Sequence, residues 1–139
     1  MQVNGKILFL LVFPLMLLSG CREDILPPEA FIGTKNSAVV DNFRSYYNLQ
    51  IDAENLDMII SDSLKFRTNN AYIEILNFDY SAGNVDVSLF NGLSLLYVSS
   101  INSNKNNYKF SIEGQVPSRV TLRFSNFTGK FKIKLLPYN

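Results

Sequence analysis

One thiol and a short run of carboxylates are the side chains of this sequence that could do chemistry. The chain has a single cysteine, Cys21, and no His or Trp among its 139 residues. Without His there is no Ser-His or Cys-His nucleophile pair and no imidazole to carry protons near neutral pH. A zinc site of the His and Cys type is ruled out on the same ground, so any metal would need oxygen ligands. The seven glycines form no phosphate-cradling loop. Asp52, Glu54, Asp57 and Asp62 are spaced closely enough to suggest a calcium loop or a glycosidase carboxylate pair. A calcium loop needs a glycine to turn, and Ile51 to Asp62 contains none. A glycosidase pair needs a deep cleft, which a small β domain does not readily supply. The four acids are therefore expected to be solvated loop charges, with no catalytic residue, no metal ligand and no cofactor bound by the domain.

The thiol stands in a more telling setting. Met1 to Lys6 is short and polar with one Lys, and Ile7 to Leu18 is an unbroken apolar run of 12 residues. As a helix that run would rise about 18 Å, short of the roughly 30 Å hydrocarbon core of a bilayer, so it reads as the apolar region of an export signal. It ends in Leu18-Ser19-Gly20-Cys21. This resembles the lipobox of bacterial lipoproteins, an apolar residue and two small ones ahead of the cysteine that receives lipid. The resemblance implies cleavage between Gly20 and Cys21 and acylation of Cys21 with diacylglycerol and a palmitate-type N-acyl chain. At about 0.8 kcal/mol per buried CH₂, more than one chain makes a stable anchor. The following Arg22-Glu23-Asp24 is similar to the acidic stretch behind the lipidated Cys of surface-exported lipoproteins in one large Gram-negative group. No Asp directly follows Cys21, which by analogy with enterobacterial sorting favours the outer membrane, on either its periplasmic or its outward face. The alternative is an unmodified Cys behind an ordinary signal peptide.

Three segments follow from that boundary: a signal peptide over 1–20, a lipidated Cys and tether over 21–37, and a β domain over 38–139. Pro27-Pro28 favours an extended spacer. Beyond it the apolar period is 2. Phe131, Ile133 and Leu135 alternate with Lys130, Lys132 and Lys134, and Val120, Leu122 and Phe124 with Arg119, Thr121 and Arg123. Tyr108, Phe110 and Ile112 alternate with Lys109, Ser111 and Glu113. Ala71 to Phe78 and Val85 to Phe90 read as strands separated by the turn residues Ser81 to Asn84. Asn91-Gly92 predicts a hairpin onto Leu93 to Ser99. Asn102 to Asn107 reads as a loop, Asn126 to Gly129 as the join between the last two strands, and Ala53 to Met58 as a short helical turn capped by Asp52. About eight to ten short strands predict an all-β fold, an antiparallel β-sandwich of either jelly-roll or immunoglobulin-like type. Ala71 to Phe78 with Gly83 to Gly92 looks like the opening of a small β domain of unknown function in envelope lipoproteins. Val120 to Leu135 is similar to the closing strands of pre-peptidase C-terminal β-sandwich domains.

Charge is uneven along the chain. From Lys105 to Asn139 seven basic residues face one acidic residue, while Asp41 to Asp86 holds three basic and eight acidic. Lys109, Arg119, Arg123, Lys130, Lys132 and Lys134 occupy outward strand positions and could form one basic face. Such a face would suit an anionic glycan, lipopolysaccharide or an acidic envelope protein; the alternative is surface lysine that keeps the sheet soluble and its edges unpaired. Nucleic acid is a poor partner for an exported chain without a basic excess. Tyr46, Tyr47, Tyr80, Tyr97 and Phe127, in or near predicted turns, add a possible glycan surface. The function expected is that of an outer-membrane lipoprotein serving as a non-enzymatic binding or assembly accessory, with a surface glycan-binding module or a hydrolase with unrecognised carboxylates as alternatives.

Overall fold

A computed structural model describes residues 33–139, and the expected signal peptide, with Gly20, Cys21 and most of the tether, lies outside the described residues. The described chain is all-β and antiparallel, with six strands: β1 (Val39–Asn42), β2 (Tyr47–Ser63), β3 (Asn70–Asn91), β4 (Ser94–Ile101), β5 (Lys105–Ile112) and β6 (Arg119–Tyr138). They form one sheet in the order β1-β2-β6-β3-β4, with β5 also paired to β3. Three of the strands run 17, 22 and 20 residues, far beyond the usual five or six.

These long strands are bent. Tyr47 and Asp62 belong to the same strand, and at ~3.3 Å per residue a straight β2 would hold them roughly 50 Å apart. Instead the Tyr47 hydroxyl donates to Asp62 Oδ2 at 2.8 Å. The bend falls where the pairing slips: between Ala53 and Met58 on β2, and between Phe78 and Asn84 on β3. β4 and β5 carry the same line onward, because β4 pairs with the second half of β3 and β5 with the first half, with only residues 102–104 between them. The sheet is thus creased along one line, and its two halves close on each other as two layers.

Both layers bury one face in a single core. Tyr47, Leu49, Ile51, Ile73, Ile75, Phe131, Ile133 and Leu135 come from one layer, and Val85, Val87, Leu89, Val120 and Leu122 from the other. Phe124, Phe127 and Phe131 step across the crease on its inner side, with ring centroids 5.7 to 6.3 Å apart and largely edge-on packing. Opposite the crease, Phe66 and Val116 pack over the open end, and their segments are tied by a hydrogen bond from the Leu64 amide to the Ser118 carbonyl at 2.8 Å.

Crossing the crease requires backbone conformations that most residues resist. Asn55, Asp79 and Asn126 have φ of 50°, 51° and 47°, the left-handed region that Asn and Asp tolerate best among residues with a Cβ. Gly83 has φ 78°, and a Cβ placed on it would lie 2.3 Å from the Asn126 carbonyl oxygen.

Several expectations are corrected. Ala53 to Met58 is part of strand β2 and contains its bulge, so Asp52 caps no helix. Ser81 to Asn84 and Asn126 to Gly129 are not chain reversals; they are the corners of β3 and β6. The loop expected over Asn102 to Asn107 spans only 102–104. The predicted hairpin is present, with Asn91 opposite Ser94 and positive φ at Gly92 alone, as a two-residue turn with Gly first requires. Where jelly-roll and immunoglobulin-like sandwiches pack two sheets, here two layers arise from one.

Replacing Gly83 by Ala should cost about 2–4 kcal/mol, since it adds both a disfavoured φ and a backbone clash. Gly114→Ala, at φ 74° with nothing near its Cβ, carries only the first of these. Urea unfolding of the two variants should show Gly83→Ala clearly the more destabilised.

Candidate functional site

The crease changes which residues of β6 face outward. Before it Val120, Leu122 and Phe124 are buried and the odd positions Arg119 and Arg123 look out; after it Phe131, Ile133 and Leu135 are buried and the even positions Lys130, Lys132 and Lys134 look out. Because both layers bury their inner faces in one core, these two outward sets lie on opposite sides of the domain. The six residues expected to form one basic face are thereby divided, with Lys109, Lys130, Lys132 and Lys134 on one layer and Arg119 and Arg123 on the other.

Three of the four lysines have carboxylate neighbours. Lys109 Nζ lies 2.8 Å from Glu74 and Lys130 Nζ 2.7 Å from Asp79. The Asp79 carboxylate beside it raises the Lys130 pKa. In register, Lys134 sits between Glu74 and Asn48, and Lys130 is opposite Asp52. Lys132 lies between Gln50 and Leu76 and is buried, at 5% exposure. Burial, and then the neighbouring Lys134 charge, lower its pKa. This outer face is a mixed-charge surface. On the other layer the Arg119 guanidinium stacks 4.5 Å over the Phe90 ring, and exposed Arg123 is opposite Asp86 and Ile59.

The acidic group also resolves into separate tasks. All four residues lie on β2 rather than in a loop. Asp57 Oδ1 accepts the Asn126 amide at 2.9 Å, satisfying a backbone donor freed by the bulge in β6. Glu54 pairs with Lys35 at 2.6 Å, and its amide donates to Asn36 Oδ1, which pins the chain entering β1. Lys35 holds the Glu54 pKa below its ordinary value. Asp62 accepts from Tyr47, whose pKa is driven up first by burial and then by that bond. Among the described residues no group of three or more acidic, His or Cys side chains is placed to hold a metal.

Three of the five aromatics expected near turns belong to the core: Tyr47 and Phe127 are fully buried and Tyr97 is 7% exposed. Tyr80 is half-buried at the crease, where its hydroxyl donates to the Gly83 carbonyl at 3.0 Å, and Tyr46 packs against Phe43 with ring centroids 5.2 Å apart. Exposed apolar residues gather on the β4 and β5 side, at Leu93, Leu95, Val98, Tyr108 and Phe110, with Val40, Phe43, Ile59 and Tyr72 exposed elsewhere. A groove of about 240 Å³ there is lined by Leu95, Leu96, Phe110, Ile112, Glu113 and Gln115. In sequence its signal is the charge-free run Ser94 to Ile101. Among the described residues no helix is long and apolar enough to cross a membrane.

No protein family matches this chain, and no curated protein does. Among solved structures it is similar to a chain from Bacillus endospore appendages, described as a novel family of disulfide-linked pili. The TM-score is 0.45 at 12% identity, covering 78% of this chain and 96% of that one.

The bond from Tyr47 to Asp62 is the most consequential of these side-chain contacts, because it ties the two halves of one strand across the layers. Tyr47→Phe should cost roughly 1.5–3 kcal/mol, the range for a hydrogen bond to a charged acceptor. Asp62→Asn keeps an acceptor and should cost less. Chemical denaturation of the two single variants and the double variant would show the coupling as non-additive.

Proposed function

We propose that this chain is an exported bacterial lipoprotein, held in the outer membrane by acylated Cys21, whose β domain serves as a binding or assembly accessory of the cell envelope. The observation that carries the reading is Leu18-Ser19-Gly20-Cys21, two small residues and the sole thiol directly behind a 12-residue apolar run. Strand β1 starts at Val39, which leaves chain between Cys21 and the sheet for a tether holding Pro27-Pro28.

The placement of the other candidate residues favours binding over the alternatives. A hydrolase would need two carboxylates facing a common space, whereas Asp57, Glu54 and Asp62 each serve a different backbone or side-chain partner. A glycan platform would need its aromatics exposed, whereas Tyr47, Tyr97 and Phe127 fill the core. What remains available to a partner is the domain's outer faces and strand edges.

Cys21→Ser should abolish incorporation of labelled fatty acid and shift the protein from the membrane fraction to the soluble fraction. Retained labelling and normal cleavage at Gly20-Cys21 in that variant would overturn the anchor.

A further inference from the structure

A folded sheet has edges that a closed barrel lacks, and each edge strand offers backbone donors and acceptors to any strand that meets it. The edges of this domain are not treated alike. β1 is four residues long with Asp41 in it, and the second half of β2 carries Asp57 and Asp62. Asn42 Nδ2 donates to the Ser63 carbonyl at 2.9 Å and Lys65 Nζ to the Asn42 carbonyl at 3.1 Å, which ties these two edges together. β5 carries Lys105 and Lys109 and is kinked at Asn107, with φ 60°. Short length, charge and a kink are the features that keep edge strands from pairing.

β4 has none of them. Ser94-Leu95-Leu96-Tyr97-Val98-Ser99-Ser100-Ile101 contains no charge, no Pro, no Gly and no residue with positive φ. Among the described residues it pairs on one side only, with β3. Its outward side chains Leu95 and Val98 are 54% and 61% exposed, and Leu93 in the adjoining turn is 96% exposed. The one bulge in its pairing lies at the Leu89/Phe90 step, towards the hairpin, and leaves Tyr97 to Ile101 in regular register.

We infer that the free edge of β4 pairs with β4 of a second copy, antiparallel about a two-fold axis, to join two domains through one continuous layer. Charge selects this occupant. Like charges directly opposed across a strand pair are destabilising, and β4 is the edge that opposes none when it meets itself. β5 against its own copy would bring Lys105 and Lys109 together, and β2 would carry Asp57 on its outer face and Asp62 on its inner face into the seam. A two-fold interface is also the commonest way for identical chains to associate. Directly opposed residues of an antiparallel pair share a face, so an outward residue must meet an outward one. Val98, which pairs with outward Ser88, is the outward residue nearest the middle of β4 and falls on the axis. The inference does not depend on the lipid anchor.

Sedimentation equilibrium of the full chain in density-matched detergent tests it. The wild type should be dimeric at micromolar concentration, and Val98→Lys should weaken the dimer by at least tenfold. Ile59→Lys, at a 60% exposed apolar position on the other edge of the same layer, should leave it unchanged. Val98→Cys should give a disulfide-linked dimer on non-reducing electrophoresis, since opposed Cα atoms of about 4.5–5.5 Å fall within disulfide reach. The wild-type chain, with Cys21 alone, is its control. A wild type that stays monomeric, a dimer indifferent to Val98→Lys, equal loss with Ile59→Lys, or no cross-link at Val98→Cys would each overturn the inference.

Discussion

Three long strands must turn the same corner at the same level, because each is hydrogen-bonded to its neighbour on both sides of the bend. A bend in one strand alone would break its pairing. The structure meets the requirement with a row of residues that accept positive φ, Asn55 on β2, Asn126 on β6 and Asp79 with Gly83 on β3. Bonds run between neighbouring segments along that row. The Asn55 amide donates to Thr128 Oγ1 at 2.8 Å, Asp57 accepts the Asn126 amide, and the Tyr80 amide donates to Asn104 Oδ1 at 3.1 Å. Each supplies a partner for a backbone group that the irregular pairing leaves without its ladder bond. The core depends on this line, since the two apolar faces meet only if the sheet closes.

That dependence explains what could be read in the amino-acid order and what could not. The two-residue alternation in Val120 to Phe124 and in Phe131 to Leu135 marks strands with one buried face, and the all-β fold follows from it. The same residues also held the sign of the crease. Buried positions are even in the first run and odd in the second, which a continuous strand allows only if a bulge or corner lies between them. Asn126-Phe127-Thr128-Gly129 suits a hairpin turn as well as a corner, because both need residues that tolerate positive φ. Only the pairing partners on either side separate the two, and those partners are distant in sequence. The Ala53 to Met58 segment misled for a related reason. Its Ala, Glu, Leu and Met favour a helix locally, and tertiary pairing with β6 overrode that preference.

The candidate site was less legible than the fold. A basic face was inferred from side chains that share an outward direction within each strand, but the crease sends the outward directions of its two halves to opposite sides. Acids far away in sequence then reach the lysines, as Glu74 reaches Lys109 and Asp79 reaches Lys130. The acidic run of β2, compact in sequence, is drawn out along the strand so that its members serve three separate partners. The lipid-anchor reading rests on local sequence alone and owes nothing to the sheet. The β4 edge, in contrast, acquires meaning only from its place at the rim of the layer, where the absence of charge sets it apart from the other edges.

The creased sheet itself is tested most directly by the span of its longest strand. Asn69 precedes β3 and Asn91 is its last residue, and both are exposed. The Gly114 amide bonds Asn70 and the Ser118 amide bonds Phe90, so both ends of the strand are tied to one short segment. Nitroxide labels on Cys introduced at 69 and 91, in a Cys21→Ser background, should give by pulsed dipolar spectroscopy a distance of about 20–30 Å. A straight strand of this length would span roughly 70 Å at ~3.3 Å per residue. A distribution centred near that longer value would contradict the fold described.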